Sequence, residues 1–80
     1  MSRDEVMETI LRNISDNLDD VDPADIDPSR AMSDYGANSL DVIEIVSCTM
    51  RDLRIKIPRV ELAKIETING FADALLDNAA

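Results

Sequence analysis

Asp34-Tyr35-Gly36-Ala37-Asn38-Ser39-Leu40-Asp41 sets a glycine-containing turn directly before a helical stretch. The turn delivers Ser39 to the start of that helix, where free backbone amides and the helix dipole favour a negatively charged substituent. A phosphate ester on the Ser39 hydroxyl would be well placed there. The small residues at 36 and 37 would let another protein's active site approach closely. The plainer reading is that Ser39, or Asn38, is an N-cap. Local physics leaves cap and modification site both open.

Downstream, the helix is expected to run from about Ser39 to Leu53. At 100° per residue Val42, Ile45, Val46, Thr49 and Leu53 form a core stripe. Leu40, Ile43 and Met50 fall off it, among Ser47, Arg51 and Arg54. That second patch either packs on the first helix or the long loop, or is a docking surface for partners.

Upstream, Ser2 and Glu5 have capping-box spacing, and Val6, Met7, Ile10, Leu11, Ile14 and Leu18 recur as one helical face. Pro23 and Pro28 keep a regular helix from crossing 19–38. This connection is long for so small a domain; Val21, Ile26 and Met32 are expected to pin it to the core. Pro58 biases Ile57 towards extended backbone. Val60 to Ile65 reads as one short helical stretch. Thr67 then caps a last helix carrying Ile68, Phe71, Ala72, Leu75 and Leu76, with Gly70 weakening its first turn. The expected fold is all-α: a small four-helix bundle of three main helices and one short one, with a long first loop, over a single domain 1–80.

Composition narrows the function. The 80 residues hold 8 Lys plus Arg against 17 Asp plus Glu, a net charge of −9. All of it lies in residues 1–44. No basic stripe is present, so nucleic acid is not an expected partner. With no His there is no imidazole base or ligand, and no Ser–His or Cys–His pair. One Cys makes neither an internal disulfide nor a zinc site, which fits a reducing compartment. Neither a signal peptide nor a membrane span is legible, so a cytoplasmic location away from membranes is expected.

Three other groupings carry little chemistry. Asp19, Asp20, Asp22, Asp25 and Asp27 suggest a calcium loop, but no twelve-residue count from any of them ends on a Glu, and prolines interrupt it. A solvated acidic loop is the better reading. Cys48 lies near Asp41, Glu44 and Asp52, which disfavour its thiolate, so it reads as a filler at a helix boundary. Asp41 and Glu44 have the spacing of an acid–base pair but read as a solvated face. No catalytic residues and no metal ligands emerge.

The segment around Ser39 resembles the phosphopantetheine attachment site of acyl carrier proteins, whose Asp-Ser-Leu opens the second helix of a four-helix bundle. Ser39-Leu40-Asp41-Val42-Ile43-Glu44-Ile45-Val46 follows the family's run without a gap, Ile57-Pro58 sits where the family has Ile-Pro, and Lys64-Ile65-Glu66-Thr67-Ile68 resembles the lead-in to its last helix. The likeness spans essentially the whole chain. It implies that Ser39 carries a covalent 4′-phosphopantetheine from coenzyme A, attached by a phosphopantetheinyl transferase. It also implies a monomeric carrier, not an enzyme, holding acyl groups as thioesters for partner enzymes. A docking face of Leu40, Asp41, Ile43, Glu44, Ser47, Met50, Arg51 and Arg54 combines this likeness with the off-stripe patch.

Two departures bear on the subtype. Asn38 stands where the family has Asp, keeping cap-type hydrogen bonding but losing a charge. Arg51, Arg54, Lys56 and Arg59 replace an acidic segment and would meet the basic patches of fatty-acid enzymes with like charge. Gly36-Ala37-Asn38-Ser39-Leu40-Asp41 with Ile57-Pro58-Arg59-Val60-Glu61-Leu62 resembles stand-alone carriers of polyketide β-branching cassettes in antibiotic biosynthesis. That likeness implies an acetyl donor working with ketosynthase/decarboxylase-type and hydroxymethylglutaryl synthase-type enzymes. The alternatives are a fatty-acid or other secondary-metabolite carrier, a peptidyl or aminoacyl carrier, and an unmodified helical interaction module.

Overall fold

Ser2 caps the first helix, its hydroxyl accepting the Glu5 amide at 3.2 Å. The Glu5 carboxylate differs from the expected capping box: it accepts the Ser2 hydroxyl at 3.3 Å, in place of a backbone amide. The computed structural model describes residues 1–79. Its helices are α1 (Arg3–Asn17), α2 (Ser39–Leu53), α3 (Arg59–Leu62) and α4 (Ile68–Asp77), and no strand occurs among the described residues. This is the expected all-α bundle of three main helices and a short one. No helix among the described residues is long and apolar enough to cross a membrane.

The core forms where the three long apolar faces meet. Val6, Ile10 and Ile14 of α1, Ile45 of α2, and Ile68, Phe71, Ala72 and Leu75 of α4 are fully buried. α1 packs against both α2 and α4, while α3 lies against α4. Polar groups are also inside: Thr49 donates to the Ile45 carbonyl at 2.7 Å and accepts from Asn13 Nδ2 at 3.1 Å. The same Asn13 nitrogen lies 3.1 Å from both the Thr9 carbonyl and Asp52 Oδ2. An amide carries two hydrogens, so three acceptors share them. This hub ties α1 to α2 and fixes their register.

Asp52 also pairs with Arg12 at 3.1 Å. The Asn13 hydrogen bond, aided by the Arg12 hydrogen bond and charge and by the Arg51 charge, outweighs desolvation and holds its carboxyl below the usual range. A depressed folded-state pKa stabilises the fold above the unfolded value and is lost as pH falls through the folded one. Stability is therefore expected to drop below about pH 4. Asp52→Asn should make that acid limb shallower in thermal melts taken across pH; an unchanged slope would remove Asp52 from it.

The 19–38 connection is ordered by short-range bonds. It contains 3₁₀ turns at Pro23–Asp25 and Met32–Tyr35. Ile26 and Met32 are buried, as expected of residues that pin the loop, and Val21 is half-buried. Asp27 accepts from both the amide and the hydroxyl of Ser29, and its own amide donates to the Tyr35 hydroxyl. The start of α4 supplies the other anchor: the amides of Ile68 and Asn69 donate to the carbonyls of Arg30 and Pro28 at 3.0 and 2.8 Å. Two orphan amides of a helix terminus thus hold the loop in place.

At the other end α3 is a single turn, starting at Arg59 and stopping at Leu62, shorter than the stretch expected to reach Ile65. Val60 points to solvent, while Leu62 and Ile65 are half-buried against the core. Thr67 caps α4 by accepting the Gly70 amide at 2.9 Å. A Cβ at Gly70 would stand 3.2 Å from the Thr67 hydroxyl, so the glycine lets this cap close.

Candidate functional site

The 3₁₀ turn Met32–Tyr35 ends at Gly36, whose φ of +91° is left-handed. Side chains rarely adopt this conformation, which explains the glycine. The reversal turns Ala37 into the core and leaves Asn38 and Ser39 outside.

Asn38 is the cap of α2. Its side-chain oxygen accepts the Asp41 amide at 2.8 Å, and the Asp41 carboxylate accepts the Asn38 amide at 3.0 Å. This reciprocal box resolves the ambiguity between the two neighbouring residues. Ser39 is the first helical residue, exposed, and its hydroxyl has no hydrogen-bond partner among the described residues. With the Asp41 amide taken by the cap, the amides of Ser39 and Leu40 are the free donors of the first turn. The residues fit a phosphate ester: an accessible hydroxyl, two uncommitted amides beside it, and the positive end of a fifteen-residue helix.

The neighbouring surface is apolar. Leu40 is 76% and Ile43 60% exposed on the face of α2 that looks away from α1. Met50, from the same off-stripe patch, is half-buried against the core. Ile43 and Met50 border a groove of about 1010 Å³ between α2 and the α3 region, with Val46 and Met50 on one wall and Leu62 and Ile65 on the other. Ser47, Arg51, Arg54 and Lys56 line it too. Of the expected docking residues, Ile43, Ser47, Met50, Arg51 and Arg54 therefore share one groove. Leu40 and Glu44 are exposed outside its lining, and Asp41 is engaged in the cap. The opposite wall from Leu62 and Ile65 was not foreseen. They follow the Ile55–Pro58 link, whose Ile55 and Ile57 are buried; the alternation of those isoleucines is the signal that could have revealed the wall.

Cys48 is half-buried, with its thiol 3.7 Å from Glu44 Oε1. Arg51 donates to its sulfur at 3.5 Å, so a cation lies beside it as well as the expected carboxylate. Among the described residues no group of three His, Cys, Asp or Glu side chains could hold a metal ion, and the aspartates of 19–27 do not converge. At the far end of α2, Arg54 is the C-cap with φ +56°, a left-handed position where glycine is usual.

Comparisons with known proteins bear on the same segment. The family described as "Phosphopantetheine attachment site" matches residues 8–75. The "Polyketide biosynthesis acyl-carrier-protein AcpK" of Bacillus subtilis is 32% identical over 77 residues, covering 96% of this chain and 94% of that protein. An acyl carrier protein of Thermosynechococcus vestitus is 27% identical over 81 residues, covering 100% of this chain and 99% of its own. One from Wolinella succinogenes is 32% identical over 65 residues, or 81% of this chain and 80% of its own.

Proposed function

Because the chain belongs to the acyl carrier proteins, which bear a covalently attached 4′-phosphopantetheine, we propose that Ser39 is its attachment site and that it serves as a discrete acetyl-donor carrier in polyketide β-branching. The observation that carries the site is the division of labour at the start of α2: Asn38 caps the helix, and the Ser39 hydroxyl beside it is free and exposed. When bound, the arm supplies a terminal thiol that holds an acyl group as a thioester. The chain's own residues contribute the anchor, two amides for the phosphate and a surface for partner enzymes. Carriers of this kind are substrates of a phosphopantetheinyl transferase and of biosynthetic enzymes. Tethering makes the encounter of acyl group and docked enzyme effectively intramolecular.

Three features support the β-branching role: the likeness around Gly36–Asp41 and Ile57–Leu62, the polyketide carrier among the relatives, and the basic end of α2. The chain would act as a single carrier domain and a monomer, with ketosynthase/decarboxylase-type and hydroxymethylglutaryl synthase-type enzymes as partners. The test is acetyl transfer. The acetyl-loaded chain is expected to lose its acetyl group to a polyketide-pathway hydroxymethylglutaryl synthase-type enzyme, followed by intact mass. A fatty-acid carrier loaded in the same way should lose it at least about tenfold more slowly, since mismatched docking charges cost more than 1 kcal/mol. Equal rates would refute the subtype and leave the carrier.

A further inference from the structure

We propose that the far end of α2 and the groove beside it form a docking site for an acidic protein partner, one that presents carboxylates around an apolar side chain. The proposal rests on the carrier reading for its context but uses none of the chemistry at Ser39.

The distribution of ion pairs leads to it. Arg3, Arg12 and Arg30 are each engaged by an acid: Asp73, Asp52 and Asp27. Arg51, Arg54, Lys56, Arg59 and Lys64 have no ion-pair partner among the described residues, although acids outnumber bases by 17 to 8. Asp52, next to Arg51 in sequence, is turned to the opposite flank by Asn13 and Arg12. Lys64 lies on a shallow surface with Glu61, Asp73 and Asp77, which leaves Arg51, Arg54 and Lys56 as the cations on the main groove. Glu66 is the acid that lines it.

Backbone geometry supplies a second argument. Arg54 holds a left-handed conformation, in which glycine is usual and a side chain is disfavoured. Its side chain is exposed and has no ion partner among the described residues, so beyond its favourable place at the C-terminal end of α2 its charge is open to a partner. Its charge and those of Arg51 and Lys56 border an apolar floor of Val46, Met50, Leu62 and Ile65. That combination is complementary to carboxylates flanking an apolar anchor. At 1.5 Å per residue the cations of α2 stand about 18–22 Å along the helix from Ser39, so this contact is separate from recognition of the serine.

Net charge and local charge predict opposite results with a simple probe. A chain at −9 should repel an acidic peptide, whereas the groove should bind one. ¹⁵N-labelled Ser39→Ala protein, which can bear no arm, is titrated with the end-blocked peptide EELLEE and with KKLLKK. EELLEE is expected to shift amides of residues 50–56 and 62–65, several-fold more weakly as salt is raised to physiological strength. KKLLKK should move the acidic loop 19–27 instead. Arg51→Glu with Arg54→Glu should weaken EELLEE binding at least about tenfold, since each position changes from attraction to repulsion. Arg54→Gly should weaken it about threefold and yet raise the melting temperature by about 4 °C. The proposal is overturned if EELLEE moves none of those amides, or moves them equally in the double reversal. Shifts at the same amides that grow with protein concentration alone would assign the face to a second copy, and overturn it too. Loading at Ser39 in the unsubstituted chain is measured separately, so either reading can fail without the other.

Discussion

Ser39→Ala is expected to take up no 4′-phosphopantetheine and no acyl group, while melting within about 2 °C of the unsubstituted protein. The two halves of this expectation come from different residues. Loading needs the hydroxyl, and no other serine or threonine combines exposure with a place at the head of a long helix next to a separate cap. Stability needs the cap, which belongs to Asn38 through its bond to the Asp41 amide. An exposed first-turn serine without a hydrogen bond contributes less than about 0.5 kcal/mol, and Ala is the better helix former. Asn38→Ala should show the converse: about 1 kcal/mol less stable, hence roughly 4–8 °C lower in melting temperature, with Ser39 still available for loading. If Ser39→Ala destabilised the fold as much as Asn38→Ala, the assignment of cap and free hydroxyl would be reversed.

Phe71→Ala is expected to remove most of the stability of the domain. Phe71 is the largest of the fully buried side chains and lies in the cluster formed by α1, α2 and α4. Truncating a buried Phe costs about 3–5 kcal/mol through lost transfer energy and the cavity left behind. A domain of this length has about 4–12 kcal/mol in total. The melting temperature should fall by about 15 °C or more. Val60→Ala, on an exposed position of α3, should change stability by less than about 0.5 kcal/mol. Similar shifts for the two variants, measured by circular dichroism, would mean that the core does not close around Phe71.

The main helices were legible because each has an apolar period and a cap of its own. Ser39–Leu53 was placed from five stripe residues, and Thr67 marked the start of α4. Thr49 was placed on the core side of α2, but its partner Asn13 was not foreseen. A polar residue among apolar ones reads as surface unless its acceptors, here on both α1 and α2, are known. The 3₁₀ turns were equally hidden, since Asp27, Ser29 and Tyr35 are joined by bonds between residues that hydrophobic period does not relate. At the site, Ser39 could be singled out from the turn before it, yet local physics could not choose between two adjacent capping residues. The geometry of Asn38 and Asp41 makes that choice. The groove depended on Leu62 and Ile65 returning to α2 after the link that carries Ile55 and Ile57, a contact that the alternation of those isoleucines hints at and helical period does not record.

The measurement that tests the carrier assignment most directly is the intact mass of the unsubstituted chain after incubation with coenzyme A, magnesium and a broad-specificity phosphopantetheinyl transferase, followed by peptide mapping. One added phosphopantetheine per chain, on the peptide that contains Ser39, is the predicted result. No addition to the folded protein, beside a control carrier that is loaded in the same mixture, or addition at another residue, would contradict it.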